Sequence, residues 1–260
     1  MRKWILSEIN YGYVKNHSYE VAVLPIGATE PHNLHLPYGT DNYQVEKIGE
    51  RICENAWAEG ARVVLLPTIN YGTDTNLMQF PLAMNLNPST LAQIISDLVQ
   101  SLVQHGIRKI VILNGHGGND FKPVLRELYG KTSAHLFLCD WYRTVSDLRD
   151  TIFDEPGDHA DEMETSLGLA FFPDLVATHD ETGTITADEG TERPCRFEAV
   201  NQGWISLTRP WHLVTTNSGV GNPFSATPEK GSQLMAILVK RLGSFLVELA
   251  SSPIDENFPF

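Results

Sequence analysis

Along this chain, continuous apolar runs of strand length alternate with stretches whose apolar residues return every three or four positions. Val21–Ile26 is the first such run, and Arg62–Pro67, Lys109–Leu113 and Ala134–Asp140 follow as a second, third and fourth. Between them, Val45, Ile48 and Ile52 mark a helix from about Asn42. Pro88-Ser89-Thr90 opens another, whose apolar face holds Leu91, Ile95, Leu98 and Leu102 and which Gly106 ends. A further helical stretch follows Asn119, and the last helix runs from Pro228-Glu229 to Ala250. Strands that are apolar on both faces belong in a mainly parallel sheet covered by helices on either side. The pattern therefore predicts an α/β fold of three layers, α/β/α, as one domain over residues 1–260. Thr178–Phe224, rich in Gly, Pro and Thr, reads as loops with room for short strands.

The polar positions that break this pattern cluster where the strands end. Glu30, His32, His35 and Asp41 crowd the dozen residues after the first strand. Charged groups there are costly to desolvate unless something pairs with them, and a divalent metal would pair with all of them. Carboxylates mixed with imidazoles, without thiolates, suit zinc, manganese or ferrous iron. The competing reading is a polar loop in which Asp41 caps the next helix. His116 follows the third strand in Asn114-Gly115-His116-Gly117-Gly118-Asn119, and reads as a ligand rather than part of a phosphate loop, which would carry a Lys or Ser/Thr. Asp74, after the second strand, reads better as a turn or cap residue. Ligands in such sheets sit beyond the carboxyl ends of the strands, so these groups can share one crevice.

A third cluster, Gly157–Ser166, opens a helix, where Asp158, Asp161 and Glu162 favour the helix dipole without needing a catalytic role. His159 gains nothing there as a cation, and its neutral ring could accept and return a proton near pH 7.

Composition narrows the class. Apolar residues make up 42% and charged residues 20%, as in ordinary globular proteins, and the net charge of -13 argues against nucleic-acid backbones and anionic membranes. No stretch has the apolar length of a membrane span, and Cys53, Cys139 and Cys195 show no pairing pattern, so a cytoplasmic protein with reduced thiols is expected.

The chain resembles the creatininase (creatinine amidohydrolase) family through Gly27-Ala28-Thr29-Glu30-Pro31-His32, His35-Leu36-Pro37, Gly39-Thr40-Asp41, Asn114–Asn119 and His159 with Glu164-Thr165-Ser166. Weaker echoes are Phe172–Val176 and Gly219–Gly231. The resemblance implies a site for two divalent metals (Zn, Mn or Fe) per subunit. Asp41 would bridge them, Glu30 and His116 would bind one and His32 the other. A water held there would attack an amide-type carbonyl, with His159 carrying the proton to the leaving nitrogen. His35 would orient a ligand or simply pack. Glu164 would support the ligands, join the metals or cap a helix. The family also implies a homo-oligomer, a hexamer or a related assembly.

Two departures bear on substrate. Where creatininase has a metal-binding Glu, two residues after the His116 position, this chain has Gly118, so the second metal needs Glu164, Glu162 or water. Of the two tryptophans that frame creatinine, Trp141 matches one, or belongs to the core, while Glu155 stands at the other. This favours a polar or cationic small-molecule amide over creatinine itself. The net charge disfavours phosphorylated substrates unless Arg143 or Lys230 overrides it locally. The expected activity is hydrolysis of a C–N bond in a small cyclic or N-acylated metabolite. Deformylation of a formylamino-pyrimidine and non-catalytic metal or metabolite binding are the alternatives, and a nucleotide-binding reading lacks a dinucleotide fingerprint.

Overall fold

The computed structural model describes residues 1–155, 157–179 and 184–260. Four strands, β1 (Val21–Ile26), β2 (Val63–Leu65), β3 (Lys109–Asn114) and β4 (His135–Asp140), form a wholly parallel sheet in the order β2-β1-β3-β4. Every residue of β1, β2 and β3 is buried, which is why these runs carry no polar alternation. The strand boundaries fall within a residue or two of the apolar runs, β2 being trimmed at both ends.

Alternate residues of β1 and β3 feed two separate cores. Val21, Val23, Val111 and Leu113 face helices α1 (Thr40–Ala58) and α5 (Pro228–Ser251), packing with Ile48, Ile52, Leu234 and Leu238. Ala22, Leu24, Ile110 and Ile112 face α2 (Pro88–Gln104) and α3 (Lys122–Leu128), packing with Leu91, Ile95, Val99 and Val124. Two helix layers around one sheet are the three-layer arrangement that the pattern predicts. A further helix, α4 (Glu162–Phe171), packs against α5.

The chain leaves β1 toward β2 on one side and returns to β3 on the other. The gap between the carboxyl ends of β1 and β3 is thus the topological switch point, where such sheets bind ligands. Ile26 pairs with Asn114, and Asn114 with Asp140, so the segments beginning at Gly27, Gly115 and Trp141 leave the sheet side by side. In the loop-rich region, Thr178–His179 and Thr184–Ile185 pair as an antiparallel ribbon, and short helices lie at Glu198–Asn201 and Trp211–Val214. Residues 180–183 of that region lie outside the described residues.

Candidate metal centre

At the switch point, four carboxylates (Glu30, Asp41, Asp74 and Glu164) and three imidazoles (His32, His116 and His159) share one buried space. Glu30 and His32 come from the loop after β1. Asp41 comes from the first turn of α1, and the side chain of Asn42 ties that turn to the loop by donating to the carbonyl of Ala28 at 2.7 Å. His116 follows β3 through Gly115, where a Cβ would stand 3.0 Å from the carbonyl oxygen of Asp41. A side chain there would press the two turns apart by a few tenths of an ångström.

His116 Nδ1 lies 2.8 Å from Glu30 Oε1 and 3.2 Å from Asp41 Oδ2, while its Nε2 donates to the carbonyl of Thr73 at 3.2 Å. His32 is arranged likewise. Its Nδ1 donates to the carbonyl of Glu30 at 3.1 Å, and its Nε2 lies 3.1 Å from Asp41 Oδ1 and 4.0 Å from Glu164 Oε1. The two oxygens of Asp41 thus face different imidazoles. Its Oδ2 is buried and out of line for a hydrogen bond. Rings with oxygen acceptors at both nitrogens demand positive charge. Burial alone would push both histidines down, yet Asp41, Glu164 and Glu30 raise His32 to about 10, and Glu30, Asp41 and Asp74 raise His116. A metal ion at each ring would meet the same demand, so the donor set fits two divalent cations. Sets of ligand atoms within 4.8 Å of one another include His32 with Asp41 and Glu164, and Glu30 with Asp74 and His116.

Asp74 adds to the sequence reading. It opens a turn, its carbonyl accepting from the N–H of Leu77 at 2.9 Å, but its side chain is wholly buried, with Oδ1 3.1 Å from His116 Nε2. Burial pushes its carboxyl up to about 6. The loop between β2 and α2 carries no periodic signal, and a lone Asp after Thr gives no warning that it turns inward.

Glu164, on the first turn of α4, approaches the set by Oε1 and accepts from the backbone N–H of Ala160 through Oε2 at 2.6 Å. Burial raises its carboxyl to about 8. It therefore stands where a ligand beside His32 is needed, whereas Glu162 turns away to pair with Lys230. Gly118 has no room for a side chain, because a Cβ there would lie 2.3 Å from His116 Nε2 and 2.6 Å from the carbonyl of Thr73.

His159 sits at the rim of the cage. Its Nε2 donates to the carbonyl of Pro31 at 2.9 Å, which leaves Nδ1 facing Glu30 Oε1 at 3.9 Å. Burial and the neighbouring His32 lower its pKa, which favours the neutral ring. Ala160, next to it, has φ of 50°, an uncommon backbone for a residue with a Cβ. Asp161 caps α4 by accepting from the N–H groups of Met163 and Glu164.

His35 is not turned toward this centre. Its Nε2 meets Thr165 Oγ1 of α4 at 2.7 Å, so it packs the β1 loop against that helix. A cavity of about 460 Å³ opens above the cage and takes in Gly118, Trp141 and His159. Trp141 is at once core and cavity floor. Glu155 is exposed and outside the cavity lining, its backbone N–H bonded to Glu162. The second aromatic wall is Trp211, unforeseen from the sequence. Its indole N–H donates to the carbonyl of Ser218 at 2.8 Å, and its ring meets that of His159 edge-on at 6.0 Å. A Trp after Arg209-Pro210 in a polar loop was the available signal.

The creatininase family model, described as creatinine amidohydrolase, matches residues 7–246. A 3-dehydro-scyllo-inosose hydrolase of Thermotoga maritima is 27% identical over 180 residues, 66% of this chain and 56% of that protein. A creatinine amidohydrolase of Pseudomonas putida is 28% identical over 60% of this chain and 66% of its own. The chain thus spans less than two thirds of both relatives. A mycofactocin precursor peptide peptidase of Mycobacterium tuberculosis is 24% identical over 84% of this chain and 80% of its own. Among solved structures, a candidate creatinine amidohydrolase from Bacteroides fragilis superposes with a TM-score of 0.90 at 34% identity, covering 98% of this chain and all of that one. A manganese form of creatininase reaches a TM-score of 0.73 at 22% identity over 96% of this chain and all of its own, a likeness of fold.

Proposed function

The chain belongs to the creatininase family, and we propose that it is a metal-dependent amidohydrolase acting on a C–N bond of a small cyclic or N-acylated compound. The observation that carries this reading is the orientation of His159, whose Nε2–H is fixed by Pro31 while Nδ1 is left bare toward the cage. Glu30, Asp41 and His116 would hold one divalent ion, and His32, Asp41 and Glu164 a second, with Asp41 between them. Bound there, such ions supply an activated water and polarise an amide carbonyl. Asp74 and the carbonyl of Thr73 orient His116 from its far side. His159 takes a proton at Nδ1 and delivers it to the departing nitrogen, and the ring of Trp211 limits where it can swing. Trp141 and Trp211 give the cavity two aromatic walls suited to a flat group, and its volume is that of a metabolite site.

The test is a panel of small cyclic and N-acylated amides offered to metal-loaded protein. At least one is expected to turn over, and His159→Ala is expected to slow it by about 10²–10⁴-fold while metal content stays unchanged. Metal-loaded protein that hydrolyses none would favour a binding protein on the same scaffold. We further propose self-association through the segment carrying Phe197, Trp204, Ile205 and Leu213, apolar side chains left on the surface, Trp204 at 77% exposure. A native mass of one subunit by light scattering would refute this.

A further inference from the structure

Among the described residues, three arginines and no lysine line the catalytic cavity: Arg143, Arg149 and Arg209. Outside the cage, the described lining sets these three arginines against one carboxylate, Asp158, in a chain with 19 basic residues against 32 acidic ones. Each guanidinium is held in place by a carboxylate outside the cage. Arg149 Nη2 meets Asp161 at 2.7 Å, and its Nε is buried without a partner. Arg143 Nε lies 3.3 Å from Asp140, and among the described residues its two terminal nitrogens meet no acceptor. Arg209 pairs with Glu192, lies 3.6 Å from Asp158 (the acidic residue of the lining outside the cage) and stacks its guanidinium over Trp211 at 4.8 Å. Lys230 is engaged by Asp154 and Glu162 and does not reach the cavity.

A guanidinium has five donors, and the one carboxylate neighbour of Arg143 or the two of Arg209 leave some unused. Arranged around a cavity, such forks match the paired oxygens of a carboxylate or phosphate. Arg209 also touches Trp211, which touches His159, so a group seated on Arg209 is placed relative to the proton carrier through one ring.

We infer that the substrate carries an anionic group, a carboxylate or a phosphate, seated on Arg143 and Arg209 while its amide lies over the cage. This rests on the amidohydrolase reading for the position of the amide, but the anion seat itself does not need the metals. It reverses the sequence-based expectation of a polar or cationic substrate, because Glu155, on which that rested, lies outside the cavity.

The test is the affinity of N-acetylglycine, its uncharged amide and N-acetylaminomethylphosphonate, measured by calorimetry on metal-loaded and chelator-treated protein. At least one charged compound is expected to bind about tenfold or more tightly than the amide in both forms, and whichever does so identifies carboxylate or phosphate as the better fit. Arg143→Gln and Arg209→Gln, both at partly exposed side chains, are each expected to reduce that preference, and together to bring it within about twofold. Arg51→Gln, on an exposed face, is expected to leave it intact. Equal binding of the amide, or no binding of any of the three, would overturn the inference. So would a preference that survives both substitutions or vanishes with the metals, since the anion would then sit on the cage. Failure of the hydrolase reading shows instead as no amide turnover, and leaves this affinity pattern standing.

Discussion

His35 is wholly buried and His159 keeps 12% of its side chain exposed, but what separates them is what each nitrogen touches. His35 meets Thr165 and leaves Nδ1 unpartnered, and burial, helped by the positive charge of His32, lowers its pKa to about 4. The folded protein therefore keeps His35 neutral where the unfolded chain, with an ordinary value of about 6.5, takes up a proton. Its contribution is fully present above pH 6.5 and is lost as pH falls toward 4, by roughly 3 kcal/mol at most. Denaturant unfolding of the metal-free protein should show this slope, and His35→Asn should flatten it. An unchanged slope would mean that His35 is already protonated when folded. At this scale the cage residues Glu30, His32, Asp41 and His116 were legible, since each stands in a short polar motif directly after an apolar run. Asp74, Arg209 and Trp211 were not, because they come from loops without periodicity and acquire meaning only from what they face. Gly118 was legible as a missing carboxylate but not as a steric necessity, which only the position of the His116 ring reveals.

The elements were the most readable level of this chain. β1 and β3 are buried on both faces, so their sequences are uninterrupted apolar runs, and the helices carry stop and start signals such as Pro88, Pro228 and Gly106. The start of α4 was less legible, because its acidic residues could all be assigned to the helix dipole. They divide instead. Asp161 caps the helix and binds Arg149, Glu162 pairs with Lys230, and Glu164 reaches the cage. Asp161→Ala is expected to cost about 2 kcal/mol or more, since it removes a cap and strands a partly buried guanidinium. Because His159 and Glu164 flank this cap, the same variant should bind less metal. Full stability by thermal unfolding, with metal content unchanged, would show that α4 is anchored by its packing on α5 alone.

For the whole molecule, the parallel order β2-β1-β3-β4 places the switch point where the Glu30 loop, the first turn of α1 and the His116 turn converge. This convergence followed from the alternation of strands and helices, but the contribution of α4 did not, because nothing local in the sequence says that residue 164 returns to the loop after β1. The proposed hydrolysis depends on a cage that holds two cations, with Glu164 completing the set around His32 and Asp41 serving both. Metal content per subunit, by elemental analysis of protein reconstituted with zinc, manganese or ferrous iron, tests this most directly. About two ions are expected, falling toward one in Glu164→Ala and lost in Asp41→Ala. No bound metal after reconstitution, or a content indifferent to Asp41, would contradict it.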